Sequence, residues 1–172
     1  MTPVCDLESA VPVPLRLTSK TEAMTAEIAA SLAEVLGPGD VVLLQGGLAA
    51  GKTFFTRYLV QALGTQDDIS SPTYTIANIY QTQRCDVLHV DAYRLSGAQE
   101  FHNLGLEEEI ETSISVIEWG GRIVEAFDAY LHIAFTAVPE QDGARFLEVA
   151  ALGQRAHRIL AQFQKRCSCE WL

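Results

Sequence analysis

Apolar residues recur at three- and four-residue intervals over residues 20–36, where Met24, Ile28, Leu32, Val35 and Leu36 mark one face of a helix. Ser19 and Glu22 stand before it at the spacing of a capping box. Gly37-Pro38-Gly39-Asp40 stops that helix with a strong turn signal. Val41-Val42-Leu43-Leu44-Gln45 follows as a short apolar run, the pattern of a strand buried on both faces. A glycine-rich turn then leads into a second helix over 52–63. Strands are predicted at 74–80, 87–91 and 114–118, while 131–137 and 145–151 flank Pro139-Glu140-Gln141-Asp142-Gly143 as a hairpin. Ala156, Ile159, Leu160 and Phe163 give a closing amphipathic helix over 153–166, with 167–172 as a tail and 1–14 as a candidate disordered segment. Strands interleaved with helices predict an α/β fold, a three-layer domain with a largely parallel central sheet and an antiparallel edge hairpin. No repeat or low-complexity linker interrupts the chain, so 1–172 reads as a single domain.

Composition narrows the class. At 172 residues and 48% apolar, the chain can bury a full core without metals or disulfides. The longest apolar runs are four residues, far short of the ~20 that cross a bilayer. Asp6 and Glu8 precede any basic residue and no apolar h-region follows, so no secretory signal is expected and the cytoplasm is the expected location. Cys5, Cys85, Cys167 and Cys169 lack zinc-site spacing and read as free thiols. Net charge is −10, distributed as −4 over residues 1–95, −9 over 96–152 and +3 over 153–172. Such a chain is a poor candidate for binding DNA or tRNA by itself, since nucleic-acid affinity depends on Lys and Arg neutralising phosphates. Any link to tRNA is expected to run through a partner; the acidic stretch is either a solvated face or a docking surface for a basic protein.

Candidate chemistry centres on Gly46-Gly47-Leu48-Ala49-Ala50-Gly51-Lys52-Thr53, which fits G-x-x-x-x-G-K-[ST] and lies between a predicted strand and a predicted helix. Successive backbone amides must curl around a phosphate there, with the helix N-terminus adding its positive dipole end. Lys52 supplies a point charge toward the β- and γ-phosphates, and the Thr53 hydroxyl one ligand to Mg²⁺. Binding of a nucleoside triphosphate is the main function these residues predict. Asp91, ending Val87-Leu88-His89-Val90, is either the second magnesium-side carboxylate or a turn-former. Glu118, ending Ser115-Val116-Ile117, either orients the attacking water or pairs with a cation at the strand end; Trp119 beside it either contacts nucleotide or plugs the core edge. Ser71-Pro72-Thr73 is either a switch-like segment sensing the γ-phosphate or a proline-fixed turn. His89 reads as a strand histidine, and no metal site made by protein groups alone is expected.

Taken together, Gly46 to Thr53, Ser71-Pro72-Thr73-Tyr74-Thr75, His89-Val90-Asp91-Ala92-Tyr93-Arg94-Leu95, Leu104-Gly105-Leu106-Glu107-Glu108 and Ile117-Glu118-Trp119 resemble the TsaE (YjeE-type) P-loop ATPases of the bacterial tRNA threonylcarbamoyladenosine pathway, over roughly residues 20–125. The resemblance implies a P-loop NTPase domain that binds ATP with Mg²⁺, hydrolyses it to ADP and phosphate, and works with the TsaB and TsaD proteins without itself transferring the threonylcarbamoyl group. It implies Lys52, Asp91 and Glu118 as catalytic residues, with Thr53, Asp91 and Glu118 on the magnesium side. Gly46, Gly47, Leu48, Ala49, Ala50, Gly51, Lys52, Thr53, Phe54, Thr73 and Trp119 would hold the nucleotide. The family loop usually reads G-D-L-G-x-G-K-T-[TS], so Gly47, Ala49 and Phe54 depart from it. If position 49 needs positive φ, alanine is strained there by about 1 kcal/mol and nucleotide affinity is expected to fall.

Two other functions fit the loop. A small-molecule kinase would need arginines clamping the transferred phosphate, and between the loop and residue 153 only Arg57, Arg84, Arg94, Arg122 and Arg145 are available. A nucleotide-gated binding module would use ATP to hold a docking conformation and turn it over little.

Overall fold

A computed structural model describes residues 14–171; the disorder expected of 1–14 lies, apart from Pro14, outside the described residues. Seven strands and five α-helices follow in the order β1 (Leu15–Ser19), α1 (Glu22–Ala33), β2 (Val41–Gln45), α2 (Lys52–Ala62), β3 (Ala77–Tyr80), β4 (Val87–Asp91), α3 (Ala98–His102), α4 (Glu107–Thr112), β5 (Ile114–Glu118), β6 (Tyr130–Ala137), β7 (Arg145–Leu152) and α5 (Gln154–Arg166). They form one sheet in the order β1-β7-β6-β2-β5-β4-β3. The inner strands β6, β2, β5 and β4 run parallel, while β3 at one margin and the β7-β1 pair at the other run antiparallel.

Both faces of the sheet are covered, which is why the inner strands read as continuous apolar runs rather than alternating ones. On one face α1, α2 and α5 pack Ile28, Leu32, Phe55, Leu59, Ile159 and Phe163 against Val42, Leu44, Val116 and Ile133. On the other, short helices and 3-10 turns place Leu95, Phe101 and Ile123 over Leu43, Val90 and Ile117. Phe55 is fully buried and meets Phe135 edge to face at 5.3 Å, a contact that ties the first turn of α2 to β6. Burial of a side chain this size is worth about 1.5–3 kcal/mol, so the helix that follows the glycine-rich loop is held firmly from below.

Four expectations change in detail. Leu15–Ser19 is an edge strand where no strand was predicted. α1 begins two residues later than its expected cap: Thr21 is the N-cap, accepting from the Met24 amide at 3.1 Å, while Ser19 lies buried at the end of β1 with its hydroxyl 2.7 Å from that of Thr25. The strand predicted at 74–80 starts only at Ala77, because Ile76 takes φ +70, a left-handed conformation that a β-branched residue rarely adopts and that breaks the extended path. Residues 167–171, expected as a tail, run back over the domain: Cys167 is buried, Trp171 packs against Phe163 at 5.3 Å and forms a bridge with Leu17.

Candidate functional site

In an open α/β sheet the crevice lies beyond the carboxyl ends of the parallel strands, and here β2, β4 and β5 all end at one cleft of about 420 Å³. Its walls are Leu48 to Phe54, Ser71, Thr73, Asp91, Glu118 and Trp119. The residues that the family resemblance assigns to catalysis, nucleotide and magnesium all meet there except Gly46 and Gly47, whose carbonyls accept from the Lys52 ammonium. The register explains the convergence. Asp91 and Glu118 are opposite one another in the parallel β4-β5 pair, and Leu44, one residue before the end of β2, is opposite Glu118 in turn.

The loop has the conformation that anion binding asks for. Gly46 (φ +155) and Gly51 (φ +108) take backbone angles that favour glycine, and a Cβ on Gly46 would sit 2.9 Å from the Phe135 carbonyl oxygen. Gly51 is the N-cap of α2 and supplies no side-chain acceptor, which leaves the first-turn amides available to a ligand. Arg145, from β7, donates through Nε to the Ala50 carbonyl at 2.8 Å and steadies the loop from outside. Nothing in the sequence around Arg145 signalled that role, because the contact depends on sheet order. Gly47, where the family pattern has an acid, has open space around its α-carbon, and Phe54 packs on Tyr58 at 4.7 Å.

Ala49 does take positive φ, at +59. The strained angle is present in the loop as it stands, so its cost of about 1 kcal/mol falls on folding rather than on ligand binding. Ala49→Gly is therefore expected to raise the melting temperature by up to about 2–4 °C, less whatever the freer unfolded chain takes back, and to leave nucleotide affinity within about twofold. Differential scanning calorimetry and calorimetric titration with ATP check the two halves; a lower melting temperature would show that the angle carries no strain.

Lys52 is 5% exposed, and its ammonium donates to the Gly46 and Gly47 carbonyls at 2.8 Å each while resting 4.1 Å above the centre of the Trp119 ring. Burial pushes its pKa below the ordinary lysine value, a pull that the Glu118 and Asp91 carboxylates oppose. An anionic ligand in the cleft would act in the same direction as those carboxylates. Trp119 itself takes φ +59 and packs at 5.1 Å, with its ring tilted by 54°, on Tyr93, which also meets the Arg122 guanidinium. Trp119 thus contacts Lys52 and also packs against the second core, the cluster that holds Leu43, Ile117 and Ile123.

Two hydrogen-bonded groups face Lys52. Thr73 donates to Asp91 Oδ2 at 3.0 Å and Ser71 lies 2.8 Å from the Thr73 hydroxyl; with Thr73 spending its one proton on the carboxylate, Ser71 donates to Thr73. The Tyr93 amide fixes the other oxygen, Oδ1, at 2.9 Å. Asp91 thus joins the Ser71-Pro72-Thr73 segment to the cleft and is more than a turn-former. The second group is buried deeper: the Thr53 hydroxyl reaches both oxygens of Glu118, at 2.8 and 3.0 Å, and His89 Nε2 lies 2.9 Å from Oε1. Thr53, Asp91 and Glu118 offer hydroxyl and carboxylate oxygens only, a donor set that fits a hard cation such as Mg²⁺ held jointly with phosphate.

Comparison with known proteins gives the chain its family. Residues 19–145 match the family model of threonylcarbamoyl adenosine biosynthesis protein TsaE. A protein of Treponema pallidum (strain Nichols), named tRNA threonylcarbamoyladenosine biosynthesis protein TsaE, is 36% identical over 137 residues, covering 79% of this chain and 100% of its own. A protein of the same name from Streptomyces coelicolor is 38% identical over 135 residues, 75% of this chain and 91% of its own. The crystal structure of Bacillus subtilis YdiB superposes with a TM-score of 0.77 at 26% identity, over 91% of this chain and 97% of that one.

Proposed function

The chain belongs to the TsaE family and so to the biosynthesis of threonylcarbamoyladenosine in tRNA, and from that premise we propose that it is the ATP-binding and ATP-hydrolysing subunit of that machinery, acting beside TsaB and TsaD rather than transferring the threonylcarbamoyl group. The observation that carries the reading is the single cleft in which the phosphate loop, Lys52, Thr53, Asp91 and Glu118 converge.

Each group has a task that its position permits. The loop amides and the start of α2 hold the β-phosphate, and Lys52 leaves the Gly46 and Gly47 carbonyls for the phosphate oxygens it was already facing. Thr53 and Asp91 would hold Mg²⁺, which supplies charge neutralisation at the phosphates. Glu118, accepting hydrogen bonds on a buried wall, orients the attacking water and receives its proton as the new P–O bond forms and ADP leaves. The kinase alternative lacks support, because among the described residues no arginine lines the cleft to clamp a transferred phosphate. Among the described residues no helix is long and apolar enough to cross a membrane, and the proposed workplace is the cytoplasm, with its tRNA.

The test is ATP turnover by the purified chain with and without TsaB, TsaD and tRNA. Hydrolysis that rises when the partners are added supports the reading. Tight ATP binding with no turnover in any mixture would leave a nucleotide-gated binding module, and absence of ATP binding would overturn both.

Charge yields a separate expectation. With −10 overall and −9 of it in residues 96–152, the isolated chain is expected to bind tRNA more weakly than about 10 µM at physiological salt, since it cannot release counterions from the phosphate backbone. A filter-binding or anisotropy titration checks this; submicromolar affinity without partners would reopen a direct RNA-binding role.

A further inference from the structure

We propose that His89 is a positioning residue for Glu118, an inference that rests on the water-orienting role given to Glu118 above. His89 and Asp91 are two residues apart on β4 and share the face beneath α2, and Glu118 is opposite Asp91 on β5. Glu118 therefore has a neighbour one pleat below it, and it leans back to meet it: His89 Nε2 stands 2.9 Å from Oε1, with His89 fully buried and Glu118 3% exposed.

Only two side chains hold the Glu118 carboxylate among the described residues, Thr53 and His89. Thr53 is the member of the pair that the proposed function assigns to the nucleotide's cation. Once that hydroxyl is turned to the ligand, His89 is what still fixes a carboxylate with three rotatable bonds. Such fixing matters for rate, because a general base displaced by about 1 Å can lose about 10²-fold in rate.

The other ring nitrogen shows that the ring is held from one side only. His89 Nδ1 is buried with no hydrogen-bond partner among the described residues, so the polar contact of the ring is the one at Nε2. A carboxylate oxygen at 2.9 Å accepts, so Nε2 carries the proton and donates to Glu118. A histidine present only to fill the core gains nothing from a carboxylate, and leucine would do its work; a donor at the Nε2 position would not matter.

The experiment compares the parent chain, His89→Leu, His89→Gln, Glu118→Ala and the double variant His89→Leu/Glu118→Ala. Each is assayed with TsaB, TsaD and tRNA for ATP turnover and by calorimetry for ATP affinity. Glutamine places an amide N–H near the position of Nε2. The expected result is that His89→Leu lowers kcat by about tenfold or more with ATP affinity within about twofold, that His89→Gln restores it to within about threefold of the parent, and that His89→Leu adds nothing once Glu118 is alanine. A readout free of turnover accompanies this: in ¹⁵N-histidine-labelled protein the Nε2–H proton of His89 is expected as a protected, downfield resonance that is lost in Glu118→Ala. Parent-like kcat in His89→Leu, equal loss in the leucine and glutamine variants, additive loss in the double variant, or a resonance indifferent to Glu118 would each overturn the inference. Should His89→Leu not fold, the glutamine variant and the resonance decide. If the parent does not hydrolyse ATP, or Glu118→Ala does so at the parent rate, the proposed role of Glu118 fails and this one falls with it. A normal Glu118 dependence with no His89 dependence removes this inference alone.

Discussion

Lys52→Ala is expected to lower partner-stimulated ATP turnover by about 10²–10³-fold or more, because a charge preorganised at a buried phosphate site is removed and nothing nearby replaces it. Among the described residues lining the cleft Lys52 is the sole cation, and it faces the two carboxylates that would otherwise repel a triphosphate. Asp91→Ala is expected to have an effect of the same order, since it removes the carboxylate proposed for the magnesium side and with it the anchor of Ser71 and Thr73. Neither change should unfold the chain. The carbonyls of Gly46 and Gly47 border the cleft, where water can replace the ammonium, so the stability lost with the lysine is about 1 kcal/mol. Phosphate release in the presence of TsaB, TsaD and tRNA measures the first effect and circular dichroism the second. Parent-level hydrolysis in either variant would move the chemistry out of this cleft.

Glu118→Gln is expected to lower kcat by about 10²–10⁴-fold, the range of a lost general base, while ATP affinity changes by less than about fivefold. Alanine at the same position serves in the cycle with His89→Leu, where the stranded histidine is removed in the double variant, but read alone it is a worse probe. It strands His89 Nε2 without its acceptor inside the sheet, a cost of about 1–3 kcal/mol, so a slow alanine variant would confound catalysis with packing. Glutamine retains an acceptor and nearly the same volume. Single-turnover kinetics at saturating ATP separates the outcomes: an unchanged rate constant would demote Glu118 to a structural link between α2 and β4.

The glycine-rich loop, the strand before it and the helix after it were legible in the sequence because each depends on local spacing. So were the strands ending in Asp91 and Glu118, whose apolar runs are short and cleanly bounded. The edge strand Leu15–Ser19 was not, because an exposed margin need not be apolar: Arg16 points to solvent and pairs with Glu148 at 2.7 Å. α3 and α4 escaped for lack of length, at five and six residues, too short to show a helical period. In the site, the tie between His89 and Glu118 spans 29 positions and is set by the β4-β5 register, which no local pattern encodes. Positive φ at Ala49 could be expected from the family's glycine there; Ile76 and Trp119 carry no such sign.

The strand order has a consequence for how the molecule comes into being. β5 is slotted between β2 and β4, both of which precede it in the chain. A growing polypeptide thus has its phosphate loop and Asp91 long before Glu118 arrives, but with a gap between them that only residues 114–118 can close. Until then two strands that should lie two spacings apart, about 9–10 Å, have nothing to hold them at that distance. Parallel insertion of this kind joins contacts distant in sequence and is intrinsically slow. On the proposed function, a nucleotide would find no assembled cleft to recognise before this step; it would act afterwards as a clasp on the finished sheet, its stabilisation felt as slower unfolding.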